Sequence, residues 1–210
     1  MKAVIFDLDG VICFTDKYHY QAWKALADRL GIYFDEIINN RLRGVSRMAS
    51  LDIILERADR CYTQEEKDAF AEEKNATYVE LLQQMSPADL SDEVKETLHA
   101  LRAAGYRLAI GSSSKNTKLI LSRIGLGDFF DAISDGTNIT HSKPDPEVFL
   151  MAAEMLCLPP EECLVVEDAK AGIQAAHAGG FRSAGIGEAS EHPDCTYSIA
   201  HFSDLKKILL

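Results

Sequence analysis

The stretch Val4-Ile5-Phe6-Asp7-Leu8-Asp9-Gly10 decides the fold of this 210-residue chain. Its apolar run is typical of a β-strand covered on both faces, although periodicity alone does not exclude a helix. Gly10 ends the run. In extended geometry Asp7 and Asp9 point to the same side. At the carboxyl end of a parallel strand, that side opens into the crevice where α/β sheets bind ligands.

Two carboxylates as close as those of Asp7 and Asp9 repel each other unless a proton or a cation lies between them. A hard divalent cation, above all Mg²⁺, is the natural counter-ion for such oxygens. A strand end followed by an acidic turn is a common alternative, so these two residues alone leave both interpretations open. The rest of the chain has to decide between them.

Composition indicates a globular protein that handles small molecules. Hydrophobic residues make up 47% of the chain and charged residues 26%, within the normal range for folded proteins. The net charge of -11 argues against nucleic acid or an acidic membrane as partner, because both need a basic face. The five cysteines are odd in number and form no Cys-x-x-Cys pair, so neither a disulfide framework nor a zinc site is indicated. No apolar segment approaches the ~20 residues of a membrane span, and we expect a cytoplasmic protein.

The order of the predicted elements divides the chain into two domains. Residues 15–86 show helical patterns with no strand between them, including a helix over 18–30, a helix over 47–60 and a capping box at Thr63 that opens a long helix. Strands then alternate with helices, and the predicted strands cover residues 107–111, 130–133, 163–166 and 182–186. We therefore predict a Rossmann-like, doubly wound parallel sheet in an α/β core of residues 1–14 and 87–210, with residues 15–86 inserted as an α-helical cap domain.

Three further strand ends carry polar residues that suit a common chemistry, namely Ser112, Lys143 and the pair Glu167-Asp168. Each of these residues alone is a weak indication of a functional site, because such residues usually belong to turns, loops or the solvated surface. Together with Phe-Asp-Leu-Asp-Gly, in this order, they resemble the four motifs of the haloacid dehalogenase superfamily of phosphotransferases. The resemblance implies an α/β core with a cap and a magnesium-dependent reaction at the strand tips.

The resemblance also implies a role for each of these residues. Asp7 would be the nucleophile that forms an aspartyl-phosphate, and Asp9 the general acid and base. Magnesium would be held by the Asp7 carboxylate, the Asp9 main-chain carbonyl and Asp168, with Glu167 in the outer shell. Ser112 and Lys143 would hold the transferring phosphoryl oxygens, and Lys143 would offset the repulsion between Asp7 and an incoming phosphate.

The predicted cap adds a closer resemblance. It contains Thr15-x-x-x-His19-x-x-x-Trp23, Gly44-Val45-Ser46-Arg47-x-x-Ser50 and Lys74, and the core continues with Ser114-Lys115-Asn116. Over essentially the whole chain this is similar to the β-phosphoglucomutase family. The similarity implies interconversion of β-D-glucose 1-phosphate and D-glucose 6-phosphate, with β-glucose 1,6-bisphosphate as intermediate and activator.

Within that family the arginine of the Gly-Val-Ser-Arg segment binds the phosphate that is not being transferred, which assigns this role to Arg47. A sugar bisphosphate needs a second cationic pocket, and a guanidinium offers the bidentate fork that suits phosphate. Ser114, Lys115 and Asn116 would complete this pocket from the core side, and Gly44, Val45 and Ser50 belong to the same motif. The alternative for Arg47 is a solvated arginine at a helix start.

The other cap residues each keep two interpretations. His19, with Thr15, would orient Asp9 and the incoming hydroxyl, or it would be a hydrogen-bonded structural histidine. Trp23 fits the cap core better than a platform for sugar. Lys74 would reach the sugar or its phosphate, or it would be a solvated helix lysine.

Two rival functions remain. One is a sugar-phosphate phosphatase of the same fold, which differs in how fast water attacks the aspartyl-phosphate without sugar. The other is a catalytically silent metabolite-binding module, against which the intact Asp7, Asp9 and Asp168 argue. We expect a monomer whose partner is a small-molecule sugar phosphate.

Overall fold

The computed structural model describes residues 1–42 and 45–210, and within them six strands form one sheet. The strands are β1 (Ala3–Phe6), β2 (Arg107–Gly111), β3 (Ala132–Ser134), β4 (Cys163–Glu167), β5 (Arg182–Ile186) and β6 (Tyr197–Ile199). Each neighbouring pair is parallel, and the spatial order is β3-β2-β1-β4-β5-β6. This order is that of a doubly wound sheet, with the switch point between β1 and β4. The predicted Rossmann-like sheet is confirmed.

The described residues fall into two compact units. The α/β unit consists of Met1–Phe14 and Ser86–Leu210, and the helical unit of Thr15–Met85. The helical unit contains α1 (Asp16–Leu30), α2 (Glu36–Asn40), α3 (Arg47–Leu55) and α4 (Gln64–Leu82). The α/β unit contains α5 (Asp92–Ala103), α6 (Thr117–Arg123), α7 (Glu147–Met155), α8 (Lys170–Ala178) and α9 (Leu205–Leu209). In the part of the chain so described, no helix is both long and apolar enough to cross a bilayer.

Strand β1 is the buried centre of the sheet, and all four of its residues are fully buried. Because side chains alternate along a strand, Ile5 and Phe6 face opposite sides. Ile5 belongs to an apolar cluster with Phe149 of α7 and residues of α8, whereas the Phe6 ring lies 5.6 Å from that of Phe202. Both faces are therefore covered, which explains why the run is continuously apolar rather than alternating.

The helical unit has its own core. Helices α1 and α4 pack against each other around an apolar cluster that includes Trp23, Leu26 and Leu51. Helix α1 ends at Gly31, whose φ of 70° is the left-handed conformation predicted by its position after the last apolar residue. The capping box at the start of α4 is also present, since the side chains of Thr63 and Glu66 each accept a hydrogen bond from the other's backbone N–H.

Two predicted elements, one strand and one helix, differ from the structure in their extent, and one short strand is missing from the prediction. Strand β3 pairs with β2 from Ala132 onward, whereas Phe130, predicted to lie in the strand, directs its ring toward Phe6 at 6.3 Å between centroids. Helix α3 ends at Leu55, short of the predicted residue 60. The three-residue strand β6 is absent from the predicted strands, because a run that short carries little periodic signal.

Candidate active site

The candidate site lies at the switch point of the sheet. Asp7 follows β1 and Glu167 ends β4, and the Asp7 N–H donates to the Val166 carbonyl at 2.9 Å. Ser112 follows β2 on the other side of β1, and its N–H donates to the Ser134 carbonyl at 3.1 Å. The structure thus brings these strand-tip residues to one edge of the sheet, as parallel pairing requires.

Lys143, from the loop between β3 and α7, joins two of the acids. Its Nζ lies 2.5 Å from Asp7 Oδ1 and also donates to Glu167 Oε1. The three side chains are at most 10% exposed. Burial acts to lower the pKa of Lys143, but the negative charges of Asp7 and Glu167 outweigh it and raise this pKa, so the ammonium stays charged.

Asp7, Glu167 and Asp168 form a cluster in which one carboxylate oxygen from each residue lies within 4.8 Å of the other two. Burial, followed by the charges of Asp7 and Glu167, raises the pKa of Asp168 to about 8. Such a crowded set of oxygens fits a hard divalent cation such as Mg²⁺. Both Glu167 oxygens already accept hydrogen bonds, one from Lys143 and the other from the Ala169 N–H at 2.8 Å. These contacts agree with the prediction that Glu167 lies outside the first coordination sphere of the metal ion.

Two glycines make room for these carboxylates. A Cβ on Gly10, whose φ is 87°, would lie 2.0 Å from Asp168 Oδ2. A Cβ on Gly172 in α8 would lie 2.0 Å from Glu167 Oε1. The sequence pattern identifies Gly10 only as the end of a strand and does not single out Gly172, because a glycine in a helix gives no sign of what it touches.

The loop after β2 is organised by its serines. Ser112 is buried, and its Oγ accepts a hydrogen bond from the Ser114 N–H at 3.2 Å. Ser114 Oγ in turn accepts from the Asn116 N–H at 3.2 Å, and the Ser114 carbonyl accepts from Gly136 N–H at 3.1 Å. A hydroxyl that accepts a backbone N–H keeps its own proton to donate, so Ser112 can serve a phosphoryl oxygen. Lys115 is exposed.

In the helical unit, the structure pairs His19 with Lys74. Lys74 Nζ lies 2.9 Å from His19 Nδ1, and it also lies over the rings of Trp23 and Tyr78 at 4.7 and 4.4 Å. An ammonium group can only donate, so Nδ1 accepts and the His19 proton lies on Nε2. Burial, and then the charges of Lys74 and Arg47, hold the pKa of His19 well below its usual 6.5. His19 is therefore a neutral donor through Nε2, and Lys74 is buried rather than solvated.

Arg47 is half-buried as the first residue of α3, and its Nη2 donates to Asn75 Oδ1 at 2.9 Å. Burial lowers its pKa from the usual value. A half-buried guanidinium held by a neutral amide keeps its charge uncompensated at that contact, as an anion-binding group requires. The solvated alternative is not what the structure shows for this residue.

The remaining predicted residues of the helical unit are also placed, with one exception. Thr15 is buried before α1, and its carbonyl accepts from the His19 N–H at 3.1 Å. Trp23 is 3% exposed within the core of the unit, the placement that its sequence context favours. Ser50 is buried in α3, and Val45 is 37% exposed. Gly44 lies outside the described residues.

The chain is similar in sequence and in fold to known proteins. The family model of haloacid dehalogenase-like hydrolases matches residues 1–180. The chain is 41% identical over 212 residues to the β-phosphoglucomutase of Bacillus subtilis, covering 100% of this chain and 94% of the relative. The crystal structure of β-phosphoglucomutase from Clostridium difficile matches with a TM-score of 0.92 and 37% identity, covering 99% and 95% of the two chains. A fructose-1-phosphate phosphatase of Escherichia coli is 35% identical over 181 residues, covering 85% of this chain and 92% of the relative.

Substitution of Gly172 by alanine tests the packing around Glu167. Alanine normally stabilises a helix interior relative to glycine, by roughly 0.5–1 kcal/mol. Here the added Cβ must displace a buried carboxylate that is bonded to Lys143, so we expect the free energy of unfolding in urea to fall by about 1–3 kcal/mol. Gly127→Ala is the control, since its Cβ would meet only the Ser122 Cα at 3.7 Å. Equal unfolding free energies for the two variants would contradict this packing.

The neutral state of His19 predicts a pH dependence of stability. Below the unfolded-state pKa of about 6.5 the unfolded chain binds a proton that folded His19 refuses, so stability falls as the pH falls, by up to ~1.4 kcal/mol per pH unit. His19→Gln lacks this contribution, whereas the other histidines contribute equally to both proteins. Urea unfolding at pH 7.5 and 5.5 should therefore show a smaller loss for the variant. Identical losses would mean that His19 is protonated in the folded protein.

Proposed function

Because the chain belongs to the haloacid dehalogenase-like hydrolase family, we propose that it is a magnesium-dependent β-phosphoglucomutase that interconverts β-D-glucose 1-phosphate and D-glucose 6-phosphate. The observation that carries the proposal is the full-length similarity to the B. subtilis enzyme of that name, together with the Asp7–Lys143–Glu167 contact at the switch point. The reaction would pass through an aspartyl-phosphate and β-glucose 1,6-bisphosphate, which also serves as activator.

In this proposal Asp7 is the nucleophile. A carboxylate oxygen of Asp7 attacks phosphorus, the bond between phosphorus and the sugar oxygen breaks, and Asp9 protonates the departing oxygen. In the reverse sense Asp9 removes the proton from the incoming sugar hydroxyl. Lys143 reduces the repulsion between Asp7 and the phosphate, and the Ser112 hydroxyl donates to a phosphoryl oxygen. Mg²⁺, which Asp7, Asp168 and the Asp9 carbonyl would hold, supplies further neutralisation of the charge on the phosphoryl group.

The helical unit would serve the other end of the sugar. Arg47 is proposed to bind the phosphate that is not transferred, with the Ser114-Lys115-Asn116 segment and the motif of Gly44, Val45 and Ser50. His19, as a donor through Nε2, is proposed to orient Asp9 and the incoming hydroxyl together with Thr15. Lys74 fixes the tautomer of His19 and is proposed to lie near the sugar or its phosphate. Trp23 would support this arrangement from the apolar core of the helical unit.

A sugar-phosphate phosphatase is the second candidate, because the chain also shares 35% identity with a fructose-1-phosphate phosphatase. The two activities share the formation of an aspartyl-phosphate and differ in whether a sugar hydroxyl or water accepts the phosphoryl group. A silent metabolite-binding module is disfavoured by the intact Asp7, Asp9 and Asp168. The cytoplasmic location and the monomeric state stay predictions.

Phosphorus NMR tests the proposal directly. The purified protein with Mg²⁺ and a trace of glucose 1,6-bisphosphate is given β-glucose 1-phosphate and, in a parallel sample, the α anomer. We expect glucose 6-phosphate from the β anomer alone and no turnover by the Asp7→Asn variant, which keeps the size of the side chain. Free phosphate as the main product would favour the phosphatase, and turnover by Asp7→Asn would contradict the nucleophile.

Arg47→Ala separates the second phosphate from the chemistry at Asp7. We expect the mutase rate to fall about 10- to 100-fold, the range of a lost charge-assisted hydrogen bond, because the non-transferred phosphate loses its guanidinium. Hydrolysis of acetyl phosphate, which has a single phosphate, should change little. Arg41→Ala is the matched control, since Arg41 pairs with Glu56 on the surface of the same unit. Equal losses in both assays for Arg47→Ala would count against this role.

A further inference from the structure

The loop that carries Lys143 is closed by one carboxylate. Glu147, the first residue of α7, accepts hydrogen bonds from the Thr140 N–H at 2.8 Å and the His141 N–H at 2.7 Å. The same side chain thus joins the start of the loop to its end. Lys143 lies between these two points.

Further hydrogen bonds hold the loop of residues 140–147 together. His141 Nδ1 lies 2.9 Å from Glu147 Oε2, so the ring donates to the carboxylate as well. The Glu147 N–H donates to Asp145 Oδ1 at 2.9 Å, and the Asp145 N–H donates to the Ser142 carbonyl at 3.1 Å. The backbone hydrogen bonds from Thr140 and His141 are the main reason that the pKa of Glu147 is lowered, so this carboxylate remains ionised at neutral pH. The loop is therefore anchored on both sides of Lys143.

We propose that Glu147 is a positioning residue for phosphoryl transfer, which fixes the backbone of residues 140–147 so that Lys143 Nζ meets Asp7. This inference rests on the function proposed for Lys143. Glu147 itself is distinct from the acids around Lys143, which bind its ammonium directly, whereas Glu147 holds only the loop from which the lysine extends.

Anchoring is needed because a lysine has a flexible four-carbon stem. Contacts at Nζ alone allow the stem to bend with the loop, and a displacement of about 1 Å in a catalytic group can cost about 100-fold in rate. The two adjacent N–H groups of Thr140 and His141 each donate to a different oxygen of the Glu147 carboxylate. A glutamine provides only one acceptor oxygen, and its amide NH₂ would face a donor.

Glu147→Gln is therefore the test, because it keeps the size of the side chain and removes one acceptor. We expect kcat/KM for hydrolysis of acetyl phosphate with Mg²⁺ to fall about tenfold or more. Glu154→Gln, an exposed acid on the same helix, should leave it unchanged. The free energy of unfolding is measured for both variants, and Glu147→Asp serves as a second variant if Glu147→Gln does not fold.

A double-mutant cycle separates positioning from a general structural effect. If Glu147 acts through Lys143, adding Glu147→Gln to the Lys143→Ala protein should change kcat/KM less than about twofold, because the group to be positioned is gone. A fall as large as that in the wild-type background would overturn the inference.

Chemical labelling gives a readout that does not depend on any activity. Lys143 is buried, so its Nζ should react slowly with acetic anhydride, and the rate for the Lys143 peptide is followed by mass spectrometry. We expect a several-fold faster reaction in Glu147→Gln than in Glu154→Gln. Unchanged labelling would overturn the inference, whereas faster labelling with unchanged turnover would instead overturn the role proposed for Lys143 in the reaction.

Discussion

The ammonium group of Lys143, shared between the carboxylates of Asp7 and Glu167, is the contact on which the site depends. All three groups are buried, and an ionised group buried without a partner costs several kcal/mol. Lys143 offsets the charge of each acid, whereas the two carboxylates repel each other and both depend on this ammonium group. The loop before α7 therefore has to place Lys143 at the tips of β1 and β4, since its absence would leave two buried acids without a cation.

The topology of the sheet makes this arrangement possible. Lys143 is 136 residues from Asp7 and 24 from Glu167 in the chain, yet all three meet at one edge. β1 pairs with β4 in a register that puts Phe6 opposite Val166, so the next residue of each strand, Asp7 and Glu167, emerges at the same level. Strand order thus concentrates the acids, and the loop from β3 supplies the cation. The Asp168 carboxylate lies against Gly10 and the Glu167 carboxylate against Gly172, in space that a Cβ at either position would occupy.

The strand tips can be predicted from sequence because their signals are local: a short apolar run, an acid or serine at its end, and a turn. Contacts between distant side chains carry no such signal. The pairing of His19 with Lys74 joins residues that are 55 positions apart in the chain. The sequence predicts that Lys74 is either solvated or near the substrate, and only the fold reveals that it sets the tautomer of His19. The apolar character of Phe130 predicts a strand residue, but tertiary packing against Phe6 takes precedence. The closure by Glu147 is invisible in the sequence for the same reason, because an acid after proline is equally typical of an ordinary helix start.

A chain with a net charge of -11 can still be suited to an anionic substrate, because the relevant charges act at different ranges. Surface acids act through water and salt, where screening limits them to about 8 Å at physiological ionic strength. The contact between Lys143 Nζ and Asp7, at 2.5 Å and away from solvent, is hardly screened. Burial, and then the charges of Asp7 and Glu167, raise the pKa of Asp168 to about 8, and a divalent cation is the group that this oxygen set fits. Affinity for phosphate is therefore decided by the few charges within contact distance, and the acidity of the surface affects mainly the rate of approach.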